Sequence, residues 1–323
     1  MTVDVEGLVR GAKAGRQRSV GRLITLVENG SPALRPIMAA LCRDGERTRT
    51  AQVVGLTGSP GVGKSTSTSM LVKAFRAQGR RVGVLAVDPS SPFTGGALLG
   101  DRVRMQDHAT DPGVFIRSMA SRGHLGGLSW TTPQALRVLD ACGYDVVLVE
   151  TVGVGQAEVE IASLADTTIV LLAPGMGDGI QAAKAGILEI ADVFVVNKAD
   201  RDGAQSTVRD LRNMLALGVG ESGWRPPIVS TVASRGEGAQ ELLEALDKHF
   251  AWLSESGELR RRRLARVRDE IEAIAVAALR ARFGDLHGNS RLDALAERVL
   301  GASLDPYSAA DELVAAVTGP GTT

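Results

Sequence analysis

Residues 58–65 read Gly58-Ser59-Pro60-Gly61-Val62-Gly63-Lys64-Ser65, between an apolar run, Gln52–Thr57, and a helical pattern, Thr66–Gln78. This is G-x-x-x-x-G-K-[ST] in the strand–loop–helix setting that gives the pattern its meaning. Gly58, Gly61 and Gly63 let the backbone curl until several N–H groups face one anion. Lys64 adds a point charge for β- and γ-phosphates, and Ser65 offers a hydroxyl to Mg2+. Ser59, Pro60 and Val62 complete the loop, and Thr66 opens the helix whose N-terminus backs the phosphates. The preceding strand favours this reading over a structural glycine turn, so a bound nucleotide is expected.

The base is read further along, at Asn197-Lys198-Ala199-Asp200. The tetrapeptide follows Val193-Phe194-Val195-Val196, which puts it at the carboxyl end of a strand, the edge where ligands of open α/β sheets bind. A carboxylate there accepts hydrogen bonds from guanine's ring N–H and exocyclic amine together. Adenine would leave Asp200 unpaired, a penalty of roughly 2–3 kcal/mol, and sites built on such hydrogen bonds reject misfits strongly. Ser230 and Val232, at the end of the last strand-like run, complete the candidate nucleotide contacts with Asn197 and Lys198. Alone, the tetrapeptide could be a polar turn; after a phosphate loop it points to GTP.

Composition frames these motifs. The 323 residues are 44% hydrophobic, enough for one large α/β domain with appendages. Lys+Arg and Asp+Glu balance at 37 each, so no global field favours nucleic acid or an acidic membrane. Aromatic residues are only 3%, which offers no stacking platform for single strands. Cys42 and Cys142 lack metal-binding spacing and suit a reducing compartment. The charged N-terminus resembles no signal peptide, and no apolar run is long enough to span a membrane. A cytoplasmic protein is expected.

Three regions are expected: a helical extension over 1–49, a nucleotide-binding domain over 50–253 and a helical arm over 254–323. In the first, Val20, Leu23, Ile24 and Val27 share one helical face, and Gly30-Ser31-Pro32 starts a second helix. In the second, strand-like runs alternate with helical stretches: Val53–Thr57, Val82–Val87, Val146–Glu150, Thr167–Ala173, Val193–Asn197 and Ile228–Ser230. Such alternation predicts a doubly wound, mostly parallel sheet. In the third, Leu264, Val267, Ile271, Ile274 and Ala278 follow the seam spacing of a helix that packs on another helix. This reads as a two-fold dimerisation arm, with intramolecular packing as the alternative. Two further helices are expected near 290–300 and 306–317, the latter opened by Asp305-Pro306. The basic run Arg260–Arg263 is expected to be a solvated helix face.

Between the two nucleotide motifs lie candidate metal and switch residues. The strand Val82–Val87 runs into Asp88-Pro89-Ser90-Ser91, which sets a carboxylate at the phosphate edge. Another ends in Glu150-Thr151-Val152-Gly153, an acidic-x-x-Gly turn where many GTPases carry Asp. There the acid reaches Mg2+ and the Gly153 N–H the γ-phosphate. Val154 stands where signalling GTPases carry a water-orienting Gln, so slow intrinsic hydrolysis is expected.

These motifs, with Gly100-Asp101-Arg102-Val103-Arg104-Met105 and Glu150–Gln156, together resemble the methylmalonyl-CoA mutase-associated GTPases of the MeaB/ArgK type. The likeness runs over nearly the whole chain. It implies a dimerising P-loop GTPase that chaperones an adenosylcobalamin-dependent acyl-CoA mutase, gating cofactor loading and protecting the enzyme. The adenosylcobalamin would belong to the partner. It further implies Asp88, Asp101 and Glu150 as Mg2+ and switch carboxylates and a third switch over Pro174–Gln181. Lys184 would carry nucleotide state to the partner.

Other readings compete with this one. A nickel-type metal-insertion GTPase would carry a Cys or His cluster, whereas His108, His124, His249 and His287 are scattered. A transport kinase for basic amino acids would use ATP, against the base motif. A partitioning or iron–sulfur carrier ATPase would need lysine where Ser59 stands. A nucleotide-dependent binding module with negligible turnover is separable only by measuring hydrolysis.

Overall fold

The computed structural model describes residues 3–43, 51–88, 105–108, 110–120, 131–151, 157–175, 189–217, 223–283 and 290–318. Three helices open the chain: α1 (Val5–Lys13), α2 (Gln17–Glu28) and α3 (Leu34–Cys42). Asp4 caps α1 by accepting the Gly7 amide hydrogen at 2.9 Å, pairing a donor that a helix start leaves open. Val20, Leu23, Ile24 and Val27 are fully buried on one face of α2.

Strands and helices then alternate: β1 (Gln52–Thr57), α4 (Lys64–Ala77), β2 (Val82–Asp88), β3 (Val114–Ala120), α5 (Thr132–Ala141) and β4 (Val146–Thr151). After them come α6 (Ala157–Leu164), β5 (Thr167–Leu172), β6 (Val193–Asn197), α7 (Ala204–Leu217), β7 (Ile228–Thr231) and α8 (Ala239–Glu255). The strands form one seven-stranded sheet in the order β3-β2-β4-β1-β5-β6-β7, with every pairing parallel.

Because side chains alternate across a strand, β1 feeds two cores. Val54 and Leu56 pack with Leu71 and Phe75 of α4 and Leu242 and Leu246 of α8. Val53 packs on the opposite face with Leu136 and Leu139 of α5, Ile161 of α6 and Leu23 of α2. A third cluster joins Val170 and Phe194 to Val208 and Leu211 of α7. Helices therefore cover both faces, and the fold is doubly wound α/β. The N-terminal helices share the core of one sheet face.

Strand β3 has no counterpart among the runs read from sequence. It lies at the edge of the sheet, where burial is incomplete: Val114, Phe115 and Met119 are buried, Ile116, Arg117 and Ser118 only partly. Arg117 breaks the apolar run, yet its charge is held by Glu28 of α2, and it donates to Thr25 Oγ1 at 3.2 Å. Gln17 Nε2 donates to the Val114 carbonyl at 2.9 Å, so α2 also covers the edge backbone.

The chain divides into two compact units, Met1–Arg263 and Leu264–Thr323. The helix α9 (Glu258–Phe283) starts in the first. Of the basic run expected to be a solvated face, Arg260 and Arg261 are exposed, but Arg262 and Arg263 are not. Arg262 donates to both carboxylate oxygens of Asp192 at 3.0 Å, and Arg263 to Asp166 at 2.7 Å and to the Ala51 carbonyl at 3.0 Å. Asp166 and Asp192 also accept the main-chain amides of Val53 and Thr168, at 3.0 and 2.8 Å. Both carboxylates immediately precede strands, so they fasten the amino edge of the sheet. Burial opposes the charge on Asp192, but hydrogen bonds from His249 and Arg262 hold its pKa below the ordinary value.

In the second unit, α10 (Ser290–Leu300) and α11 (Pro306–Thr318) are joined by the Arg298–Glu312 ion pair at 2.8 Å. Asp305 caps α11, accepting the amides of Tyr307 and Ser308 at 2.9 and 3.1 Å. Along α9, Leu264, Ile271 and Ile274 are 46%, 62% and 44% exposed.

Candidate active site

The phosphate loop follows the central strand β1, at the carboxyl edge of the sheet. Its glycines sit at φ of 140° (Gly58), 82° (Gly61) and 99° (Gly63), a region closed to most side chains. Space forbids substitution too. A Cβ on Gly58 would lie 2.3 Å from the Leu171 carbonyl oxygen, and one on Gly63 2.4 Å from Asn197 Nδ2. The helix α4 starts at Lys64, two residues before the start expected from sequence, so the loop leads directly into its first turn. The amides of that turn have no intrahelical acceptors. Lys64 is buried, and its Nζ donates to the Gly58 and Ser59 carbonyls at 2.5 and 3.0 Å. Those bonds hold the ammonium over the loop.

Glu150, near the end of β4, is 3% exposed. Its Oε1 accepts from Ser65 Oγ at 2.6 Å and its Oε2 from Thr68 Oγ1 at 2.9 Å. The two candidate metal ligands on separate elements therefore meet. Their oxygen-only chemistry suits a hard cation that takes most of its ligands from phosphates and water. Among the described residues, no group of three or more His, Cys, Asp or Glu could hold a metal ion alone.

At the base end, Asn197 closes β6. Its Nδ2 donates to the Val62 carbonyl at 2.8 Å, while its Oδ1 accepts from Thr231 Oγ1 at 3.2 Å and the Ala233 amide at 3.1 Å. One amide thus bonds the phosphate loop on one side and the segment after β7 on the other. Lys198, at φ 57°, donates from Nζ to the Gly61 carbonyl at 2.7 Å. Asp200 is exposed and pairs with Arg235 at 3.2 Å. Ser230 is exposed and Val232 buried, its amide donating to the Glu237 carbonyl at 3.1 Å.

Asp88 is the last residue of β2, at the same edge; its side chain, with Asp101, Gly153 and Lys184, lies outside the described residues. So do the segments 89–104, 152–156 and 176–188. Thr68, Thr231, Ala233 and Arg235 were not singled out from sequence. A signal existed for Thr68: it follows Ser65 by three residues, on the same face of α4. The others are joined to the site only by the return of the chain through β7.

A parallel α/β sheet with this loop after its central strand, and an Asn-Lys-x-Asp turn two strands away, defines a P-loop nucleotide hydrolase. The family model described as "Methylmalonyl Co-A mutase-associated GTPase MeaB" matches residues 20–286, and the chain belongs to that family. It is a GTPase and binds GTP and GDP. A Pyrococcus horikoshii protein named as a GTPase is 48% identical over 320 residues, covering 98% of this chain and 99% of its own. The mouse "Methylmalonic aciduria type A homolog, mitochondrial" is 37% identical over 274 residues, covering 80% and 66%. A solved "LAO/AO transport system kinase" superposes with TM-score 0.71 and 26% identity, covering 97% and 98%. Among the described residues, no helix is long and apolar enough to cross a membrane.

Proposed function

We propose that the protein is a GTP-driven chaperone of an adenosylcobalamin-dependent acyl-CoA mutase, with methylmalonyl-CoA mutase as its partner. Binding and hydrolysis of GTP gate loading of the cofactor, which belongs to the mutase, and protect that enzyme from inactivation. The family description and the mouse relative's name support the choice of partner. The observation that carries a switch is the buried Ser65–Glu150 bond. It joins the phosphate loop to the strand that precedes Val152 and Gly153, so a change at the phosphates reaches a second candidate switch segment.

Ser65 and Glu150 would hold Mg2+, with Asp88 and Asp101 as further carboxylates, and the ion would neutralise phosphate charge. Lys64 binds the β- and γ-phosphates, Asp200 selects guanine, and Asn197 keeps the two ends of the nucleotide site in register. Lys184 relays nucleotide state to the partner. With Val154 after Gly153, turnover is slow until the partner docks. The protein works in the cytoplasm as a homodimer formed through the α9 seam.

The test is GTP turnover measured with and without purified mutase. Acceleration by the mutase, abolished in Lys64→Ala, is the expected result. Equal rates in both conditions, together with unaltered cobalamin transfer, would sink the proposal.

A further inference from the structure

We infer that Thr68 is a positioning residue for the metal site, holding the Glu150 carboxylate in the orientation that serves Ser65. The inference rests on the reading of Ser65 and Glu150 as Mg2+ ligands and extends it to a residue outside the loop motif.

Ser65 and Thr68 lie three residues apart on α4 and therefore share a face. Glu150 reaches that face from β4 and divides its two oxygens between them, Oε1 to Ser65 at 2.6 Å and Oε2 to Thr68 at 2.9 Å. Thr68 is 0% exposed, Glu150 3% and Ser65 8%. No bulk water reaches such a carboxylate, so its hydrogen bonds set its direction. Thr68 Oγ1 also lies 3.0 Å from the Lys64 carbonyl. A single hydroxyl hydrogen serves one acceptor at a time, and the charged one forms the stronger bond.

The Thr68 bond also accounts for glutamate where many GTPases carry aspartate. Glutamate has one more rotatable bond, and left free it would spread its charge over several rotamers. Its longer arm reaches past Ser65 to the next residue on the same helix face. Once Thr68 holds Oε2, Oε1 stays at Ser65. The added length is turned from a loss of order into a second anchor.

The experiment titrates Mg2+ against binding of a fluorescent GTP analogue and repeats the binding in EDTA. Thr68→Val keeps the shape and removes the donor; Thr68→Ser keeps the donor. Groups that orient metal ligands typically change metal affinity about 10- to 100-fold. Thr68→Val should therefore raise the Mg2+ concentration at half-effect about tenfold or more, while affinity in EDTA stays within about twofold. Thr68→Ser should restore wild-type Mg2+ dependence. If valine does not fold, as judged by thermal melting, Thr68→Ala replaces it with the same expected shift. An unchanged Mg2+ titration, or an equal loss with and without Mg2+, overturns the inference. Glu150→Gln separates the two levels: a shift there but not in Thr68→Val removes only the role of Thr68. No shift in Glu150→Gln removes the metal-site reading and this inference with it.

Discussion

Asp200, the proposed selector of the base, has two acceptor oxygens, and Arg235 stands 3.2 Å from one of them. Asp200→Asn exchanges an acceptor for a donor where guanine would present its N–H groups. An unmatched charged hydrogen bond of about 2–3 kcal/mol corresponds to a loss of GTP affinity on the order of 30- to 150-fold. Xanthosine triphosphate, which offers a ring carbonyl at that position, should bind the variant better than GTP. Calorimetric titration of both nucleotides checks this, and unaltered GTP affinity would refute the role of Asp200. At this scale the sequence was legible wherever function depends on backbone shape or on a local run. The glycines, Lys64, Ser65 and the Asn197–Asp200 turn could all be read directly. It was opaque where partners lie far apart, as with Thr68 and Glu150 or Asn197 and Thr231, because no local pattern records a contact made by folding.

Among the elements, the sheet was legible except at its β3 edge. Buried strands read as unbroken apolar runs, whereas β3 carries Arg117 and Ser118 in its middle and needs α2 to cover it. Half of the Arg260–Arg263 run, Arg262 and Arg263, departs from its expected solvation for a related reason. Four arginines in a row resemble a solvated face until two strand-capping aspartates are found opposite them. Asp166 is wholly buried, so Arg263→Ala leaves a buried carboxylate without its main counter-charge. Breaking one partner of such a pair typically costs about 3–5 kcal/mol, and the variant should melt roughly 10 °C or more below the parent. Thermal unfolding followed by circular dichroism measures this, and a shift under a few degrees would show that the pair contributes little.

For the whole molecule, pH and association are the informative variables. A carboxylate with a depressed folded pKa contributes stability that is complete above its ordinary value, near 4. That stability is lost as the pH falls further, through the folded value. Asp192 is such a group, held low by His249 and Arg262 against the opposing effect of burial. The parent protein should therefore lose melting temperature steeply below about pH 4. Asp192→Asn should start lower at pH 7 and lose less over the same acid range. Parallel profiles would contradict this. Association is tested on α9. Replacing Ile271 and Ile274, both substantially exposed, with aspartate should halve the sedimenting mass if the seam joins two copies. The division at Arg263 leaves no mark in the sequence, because α9 continues across it without a break.

The Asn197 amide, bonded to the phosphate loop and to the segment after β7 at once, has a thermodynamic consequence. Two halves of one ligand reinforce each other only if the sites that hold them keep a fixed separation. In the native protein GTP should therefore bind far more tightly than guanosine or inorganic triphosphate alone, each linked half favouring retention of the other. In Asn197→Ala that mutual benefit should vanish, and GTP would bind little better than its better half.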